Sequence, residues 1–452
     1  MRKYYCLLFL SAFLVLFSST VPAQKKLSRQ QLVSDADILY VHMYDIHPDL
    51  FAEFAKEDFE KDLAEIKLQF TDSMTFVDFF RLVTPLVVKL NDGHTRIYPP
   101  ANLLEEDRIQ FPLFVDINKN GKTFSLKNDY SDAAWTVPAG TEILSVNGHK
   151  SRDMYDKFLT YISGEKVEFK QEMMKYLFNA LPYFIYGDSV FSVSYMDESK
   201  KAKSVTLKGM SSADLEESRK QYQEQKYPDY SFSIDKPDNV AIIDFRSFVN
   251  LERFKVFLDS VFTVIKKENL NNLIIDIRNN GGGNSALGDE LFQYISPVPF
   301  TQYGNVTVKI SPTLKRLWND KESPIGLETY SNTEESLIKL RENNLRYNGN
   351  IYLLTSSMTF SSAADFAWAF QYFKMGTVVG EETGGLVVSF GDVVGTKLPS
   401  TNMSYGVSFK KFYGYGADDS NRHGVIPEHK VAADNAMDYA LELINKIDIS
   451  NL

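Results

Sequence analysis

The segment NNLIIDIRNNGGGNSALGDELFQYI, residues 271–295, decides the reading of this chain, together with LLTSSMTFSSAADFAWAF, residues 353–370. Each runs from an apolar strand pattern through a turn into a helical pattern. The first turn holds Gly281, Gly282 and Gly283, bare backbone that can bring an N–H close to an oxygen. The second holds a serine cluster, with Ser361 where the strand has ended and the helix begins. A hydroxyl there is aimed by the turn, and helix-terminal amides favour negative charge developing beside it. Bare donors and an aimed hydroxyl are what acyl transfer needs. Ser361 or Ser362 would serve equally well as a plain helix cap, with Ser356 and Ser357 as nearby competitors, so the rest of the chain must decide.

Gly281, Gly283 and Ala286 also fit a dinucleotide-binding fingerprint. The strand before them carries Asp276 and Arg278, and no clear acidic residue ends a second strand about twenty positions later. The glycines make better sense as an oxyanion hole, where one lost donor costs about 3 kcal/mol of transition-state stabilisation.

The 452 residues point to about three domains. A net charge of −10 with no Lys/Arg block argues against a nucleic-acid partner. Arg2 and Lys3 precede an apolar run from Cys6 to Phe17, which reads as an export signal cut after Ala23. The mature protein is then expected in the periplasm or outside the cell, with no integral membrane segment. Cys6 is the single cysteine, so cysteine nucleophiles, disulfides and thiolate metal sites are excluded from the mature chain.

Residues 27–105 carry helical periodicity and end at LNDGHTRIYPP. Residues 106–208 read as short strands plus a helix, with turns at Asn120-Gly121 and Asn147-Gly148. DINKNG imitates the start of a calcium loop, but Lys127 occupies its twelfth position and the hairpin reading is preferred. Residues 209–237 look like a linker, and from 238 to 452 strands and helices alternate in α/β texture.

A serine hydroxyl needs a base. Of His42, His47, His94, His149, His423 and His429, only His94 follows a tight turn, Asp92-Gly93, at the end of an apolar helix. No H-x-x-x-H or H-x-H spacing occurs, so no metal or other cofactor is expected.

LNDGHTRI, AGTEILSVNG, LIIDIRNNGGG, TFSSAADFA, TVVGEETGG and HGVIPEH occur in the order seen in the C-terminal processing (tail-specific) protease family. The chain resembles that family over about residues 35–440, and most of all its secreted Bacteroidetes-type members. The resemblance implies a crotonase-like αβ spiral core, a PDZ-like domain around AGTEILSVNG and a helical N-terminal region. Ser361 matches the nucleophile. Gly282 matches the glycine giving one oxyanion N–H, and Ser362 supplies the other. The Ser/Lys branch has a lysine where this chain has Leu386, and Lys397 reads as a strand residue. His94 instead matches the base of the tricorn-like Ser/His branch. The third member stays open among Asp418, Asp419 and Asn421. The function implied is an exported serine peptidase acting on peptides or unfolded protein. The alternative is a non-catalytic protein on the same scaffold that binds peptides or hydrophobic ligands.

Overall fold

The computed structural model describes residues 25–99, 109–129, 137–221 and 227–450. The expected signal, 1–23, lies outside the described residues. No helix among those described is long and apolar enough to cross a membrane.

Three helices, Arg29–Ile46, Lys56–Gln69 and Phe76–Val88, open the chain. Ser28 and Thr75 start the first and third with capping boxes, each satisfying orphan N–H groups at the helix entry. The strand Arg96–Tyr98 follows and pairs antiparallel with Ser404–Gly414. The N-terminal region is thus stitched into the far end of the chain. Ser404–Gly414 also pairs with Tyr303–Ile310 and Val388–Lys397, in an antiparallel sheet edged by Gly326–Ser331.

The middle region forms a second antiparallel sheet. Val115–Asn118 and Thr123–Leu126 make the expected hairpin, with Gly121 N–H donating to Asn118 Oδ1. Asn147 and Gly148 have φ of 48° and 82°, the left-handed pair that a tight hairpin turn requires. Helices Ser151–Leu159 and Val167–Leu177 pack beside this sheet. The N-terminal helices, this sheet and Leu398, Met403, Tyr405 and Val407 share one apolar core.

The third sheet is parallel, in the order His429–Lys430, Thr377–Gly380, Asn350–Thr355, Asn272–Asp276, Val240–Phe245, with Tyr230–Asp235 antiparallel at its edge. Every residue of Asn272–Asp276 is buried, as expected for a strand covered on both faces. Helices Leu251–Glu268, Ala286–Ile295 and Ser362–Tyr372 cover one face, and Ala436–Ser450 packs on the other. The expected linker, 209–237, is more ordered than its polar composition implied. It holds the helix Ser212–Gln221 and the edge strand Tyr230–Asp235, because alternation in YSFSID suffices to complete the sheet.

Candidate active site

Asn272–Asp276 and Asn350–Thr355 are parallel neighbours, with Asp276 opposite Leu354. Their turns therefore emerge side by side. Ile277 N–H donates to Leu354 O, Thr359 Oγ1 to Ile277 O, and Phe360 N–H to Asn280 O. Asn280 is fully buried, and its Nδ2 donates to Phe245 O at 2.7 Å. This lattice fixes the glycine turn against the serine turn. A Cβ at Gly282 would lie 2.8 Å from both Phe360 O and Ser362 N, so the approach tolerates only glycine, and φ there is +93°.

Ser361 has φ +53° and ψ −133°, a combination that residues other than glycine rarely adopt. Such strain costs on the order of 1–3 kcal/mol and persists only where surrounding structure holds it. Its side chain makes no capping bond to the helix that begins at Ser362. Instead Ser361 Oγ stands 3.1 Å from His94 Nε2. Ser362 Oγ donates to Gly283 O at 2.7 Å, and Ser356 Oγ to Arg278 O, which commits two neighbouring hydroxyls to backbone.

His94 sits in a turn closed by Asp92, whose Oδ1 accepts the His94 N–H at 2.9 Å. Asp92 Oδ2 accepts from His47 Nε2 at 3.2 Å and Ser408 Oγ at 2.7 Å. Burial opposes the charge on Asp92, but His47, His94 and Thr95 outweigh it and hold the carboxyl well below its usual range. Phe360 stacks on the His94 ring at 4.9 Å, and Phe169 from the middle region stacks on Phe360 at 4.2 Å. Burial lowers the pKa of His94, with Asp92 opposing the shift, so the imidazole is neutral at pH 7. Its Nδ1 has no hydrogen-bond partner among the described residues, and Asp92 Oδ1 lies 3.8 Å away.

Two sequence expectations change. The Gly282 N–H donates to Asn280 Oδ1 at 2.9 Å, so it does not face a substrate oxygen. Among the described residues, the N–H groups of Gly283 and Ser362 carry no internal bond, and both residues line the cavity beside Ser361. Asp418, Asp419 and Asn421 form an exposed turn whose side chains bond Ser420, Lys411, Tyr413 and their own backbone, and none touches His94. Lys397 ends the strand Val388–Lys397 and Leu386 is buried. None of the other histidines is hydrogen-bonded to Ser361 among the described residues: His47 pairs with Asp92 beside the site, while His42 pairs with Tyr405, His149 stacks on Tyr186, His423 bonds Gly424 O and His429 pairs with Tyr439.

Glu165, which sequence reasoning missed, reaches the same place from the middle region. Its carboxyl end is enclosed, and Oε2 has no partner among the described residues. Burial and then the Asp92 charge push it up to about 8. Asp92, His94 and Glu165 offer ligand atoms within 4.8 Å of one another, so they are the residues that could close on a cation. Their separation in the chain hides this set from any spacing rule. Lys166 next door pairs with Glu382, which accepts Gly424 N–H at 3.0 Å. That tie links the middle region to the closing HGVIPEH element.

A cavity of about 390 Å³ opens beside Ser361, walled by Phe390, Phe412 and Val306, with Tyr303, Asp365, Asp392 and Lys410 supplying polar groups.

Residues 239–431 match the family model for Peptidase family S41, so this stretch of the chain is a serine-type peptidase domain of that family. Two structures of mature CPAF, one complexed with lactacystin, are similar to the whole chain with TM-scores of 0.62 at 13% identity. They cover 93% of this chain, which in turn spans 97% and 96% of theirs, so the likeness is one of fold. A putative peptidase from Parabacteroides merdae matches at 16% identity, with a TM-score of 0.47 over 92% of this chain and 97% of that one.

Proposed function

We propose that the protein is an exported endopeptidase or carboxy-terminal processing peptidase of the tricorn-like Ser/His branch, with Ser361 as nucleophile and His94 as general base. The single observation that carries this reading is the 3.1 Å approach of His94 Nε2 to a strained Ser361 at the head of a helix. A neutral His94 accepts the Ser361 proton as Oγ attacks the peptide carbonyl. The N–H groups of Ser362 and Gly283 hold the oxyanion, and the nearby Asp92 carboxylate stabilises the imidazolium. His94 then protonates the leaving amine, and an acyl-enzyme remains on Ser361. Water, activated by His94, releases it.

The parallel-sheet unit is read as a crotonase-like core and the middle sheet as a PDZ-like module that recruits or gates an unfolded segment. Export to the periplasm or beyond rests on the N-terminal sequence alone. A non-catalytic peptide or hydrophobic-ligand binder is the second reading, favoured by one observation: among the described residues, His94 Nδ1 makes no close hydrogen bond that would hold its tautomer.

A fluorophosphonate probe and a casein digest separate the two. Labelling at Ser361, with hydrolysis abolished in Ser361→Ala and reduced at least about 10³-fold in His94→Ala, supports the peptidase. An unlabelled Ser361, or casein cleavage that survives Ser361→Ala, removes it.

A further inference from the structure

We infer that the cavity beside Ser361 is a cation-recognition subsite: it seats a lysine or arginine side chain of the peptide on the acyl side of the scissile bond, with Asp365 as the residue that selects it. This rests on Ser361 being the nucleophile, because the cavity opens at that residue. Asp365 lies one helical turn beyond Ser361, and its N–H donates to Ser361 O at 3.1 Å. Asp365 is only 7% exposed, and it lines the cavity. Tyr303 Oη donates to Asp365 Oδ2 at 3.0 Å, which fixes the carboxyl and leaves Oδ1 as the acceptor offered to a ligand.

The cavity's charges are unbalanced. Lys410 is held by Asp392 at 2.6 Å, so that pair is already neutral. Among the described residues, Asp365 has no cationic partner. Burial, opposed by the Tyr303 hydrogen bond and reinforced by the Asp392 charge, pushes its carboxyl up to about 7. A guanidinium or ammonium entering the cavity would supply one. Phe390 and Phe412 line the walls, suited to the methylene stem of Lys or Arg and to the flat face of a guanidinium. Apolar side chains would bury Asp365 Oδ1 without a partner, which penalises them.

Four peptidyl-aminomethylcoumarins that differ only in the last acyl-side residue (arginine, lysine, citrulline, norleucine) test the idea. Citrulline keeps the shape of arginine and loses its charge. Arginine and lysine substrates should exceed citrulline and norleucine by about 30-fold or more in kcat/KM. In Asp365→Asn the arginine-to-citrulline ratio should fall below about 3. Equal rates for arginine and citrulline in the unmodified protein overturn the inference while leaving the peptidase reading intact. Calorimetric titration with benzamidine and with the uncharged benzamide reads the same site without chemistry. Benzamidine binding that disappears in Asp365→Asn, in a protein that cleaves nothing, keeps the subsite and overturns the peptidase. Benzamidine binding unaltered by the substitution, or none at all, overturns the subsite.

Discussion

His94 Nε2 and Ser361 Oγ lie 3.1 Å apart across 267 residues of sequence, and the same imidazole is stacked against Phe360, the residue just before the serine. The contact joins an N-terminal turn to the loop after a core strand. It depends on the pairing of Arg96–Tyr98 with Ser404–Gly414, which pins the His94 turn onto the antiparallel sheet.

The pH dependence of hydrolysis follows from that burial. His94 must be neutral to accept a proton, and burial lowers its pKa despite the Asp92 charge. The acid limb of kcat/KM is therefore expected to have its midpoint below the ordinary histidine value of about 6.5. Asp92→Asn removes an anion that favours the imidazolium. The midpoint should drop further, while plateau kcat falls about 10-fold. A pH profile with an unmoved limb in Asp92→Asn would show that Asp92 does not act on His94.

Backbone strain at Ser361 predicts an unusual stability order. Glycine relieves a φ of +53° with ψ −133°, whereas alanine keeps the strain. Ser361→Gly should be more stable than Ser361→Ala by about 1 kcal/mol, though both are inactive. Urea denaturation of the two proteins is the measurement, and equal midpoints would mean the turn is relaxed in solution.

Gly282→Ala should be severe. The added methyl meets Phe360 O, Ser362 N and Ser361 Cβ at 2.8–2.9 Å, all parts of the nucleophile turn with little freedom to yield. A loss of about 2–4 kcal/mol in stability is expected, with kcat down at least about 10²-fold. Retention of near-normal kcat would exclude the close docking of the two turns.

Glu165 is expected to make the protein less stable as pH rises. Its folded-state value of about 8 stands above the value of about 4.3 for an unfolded chain. The native state therefore holds a proton that the unfolded chain releases, and the advantage present at low pH is lost as pH climbs through about 8. Glu165→Gln has no such proton. Its stability relative to the unmodified protein should grow between about pH 5 and pH 8.5, by roughly 1–2 kcal/mol, since part of the residue reaches solvent. Denaturation at both pH values tests this, and a constant difference would show that the carboxyl ionises normally.

Much of the architecture was legible because it is local. Alternation in LIIDIR, the Asn147-Gly148 turn and the helical spacing after Ser362 each act within a few residues. The edge strand within 209–237 is harder to read, because an edge strand needs only one partner and polar alternation in YSFSID resembles loop composition. The motif points to Gly282 as a donor. Only the placement of Asn280 Oδ1 reveals that its N–H is already used. Asp418, Asp419 and Asn421 are near HGVIPEH in sequence, whereas Asp92 and Glu165 bring carboxyl oxygens within 4.8 Å of a His94 ring nitrogen.

The sequence by itself determined the two strand–turn–helix units, the serine poised between strand and helix, and the DGH turn, since turn chemistry and periodicity are short-range properties. Tertiary structure alone decided which donors stay free, which carboxyls lie near the imidazole and which acid lines the cavity beside Ser361. Those depend on desolvation and on distances of a few ångströms between segments hundreds of residues apart, and neither quantity is written in local spacing.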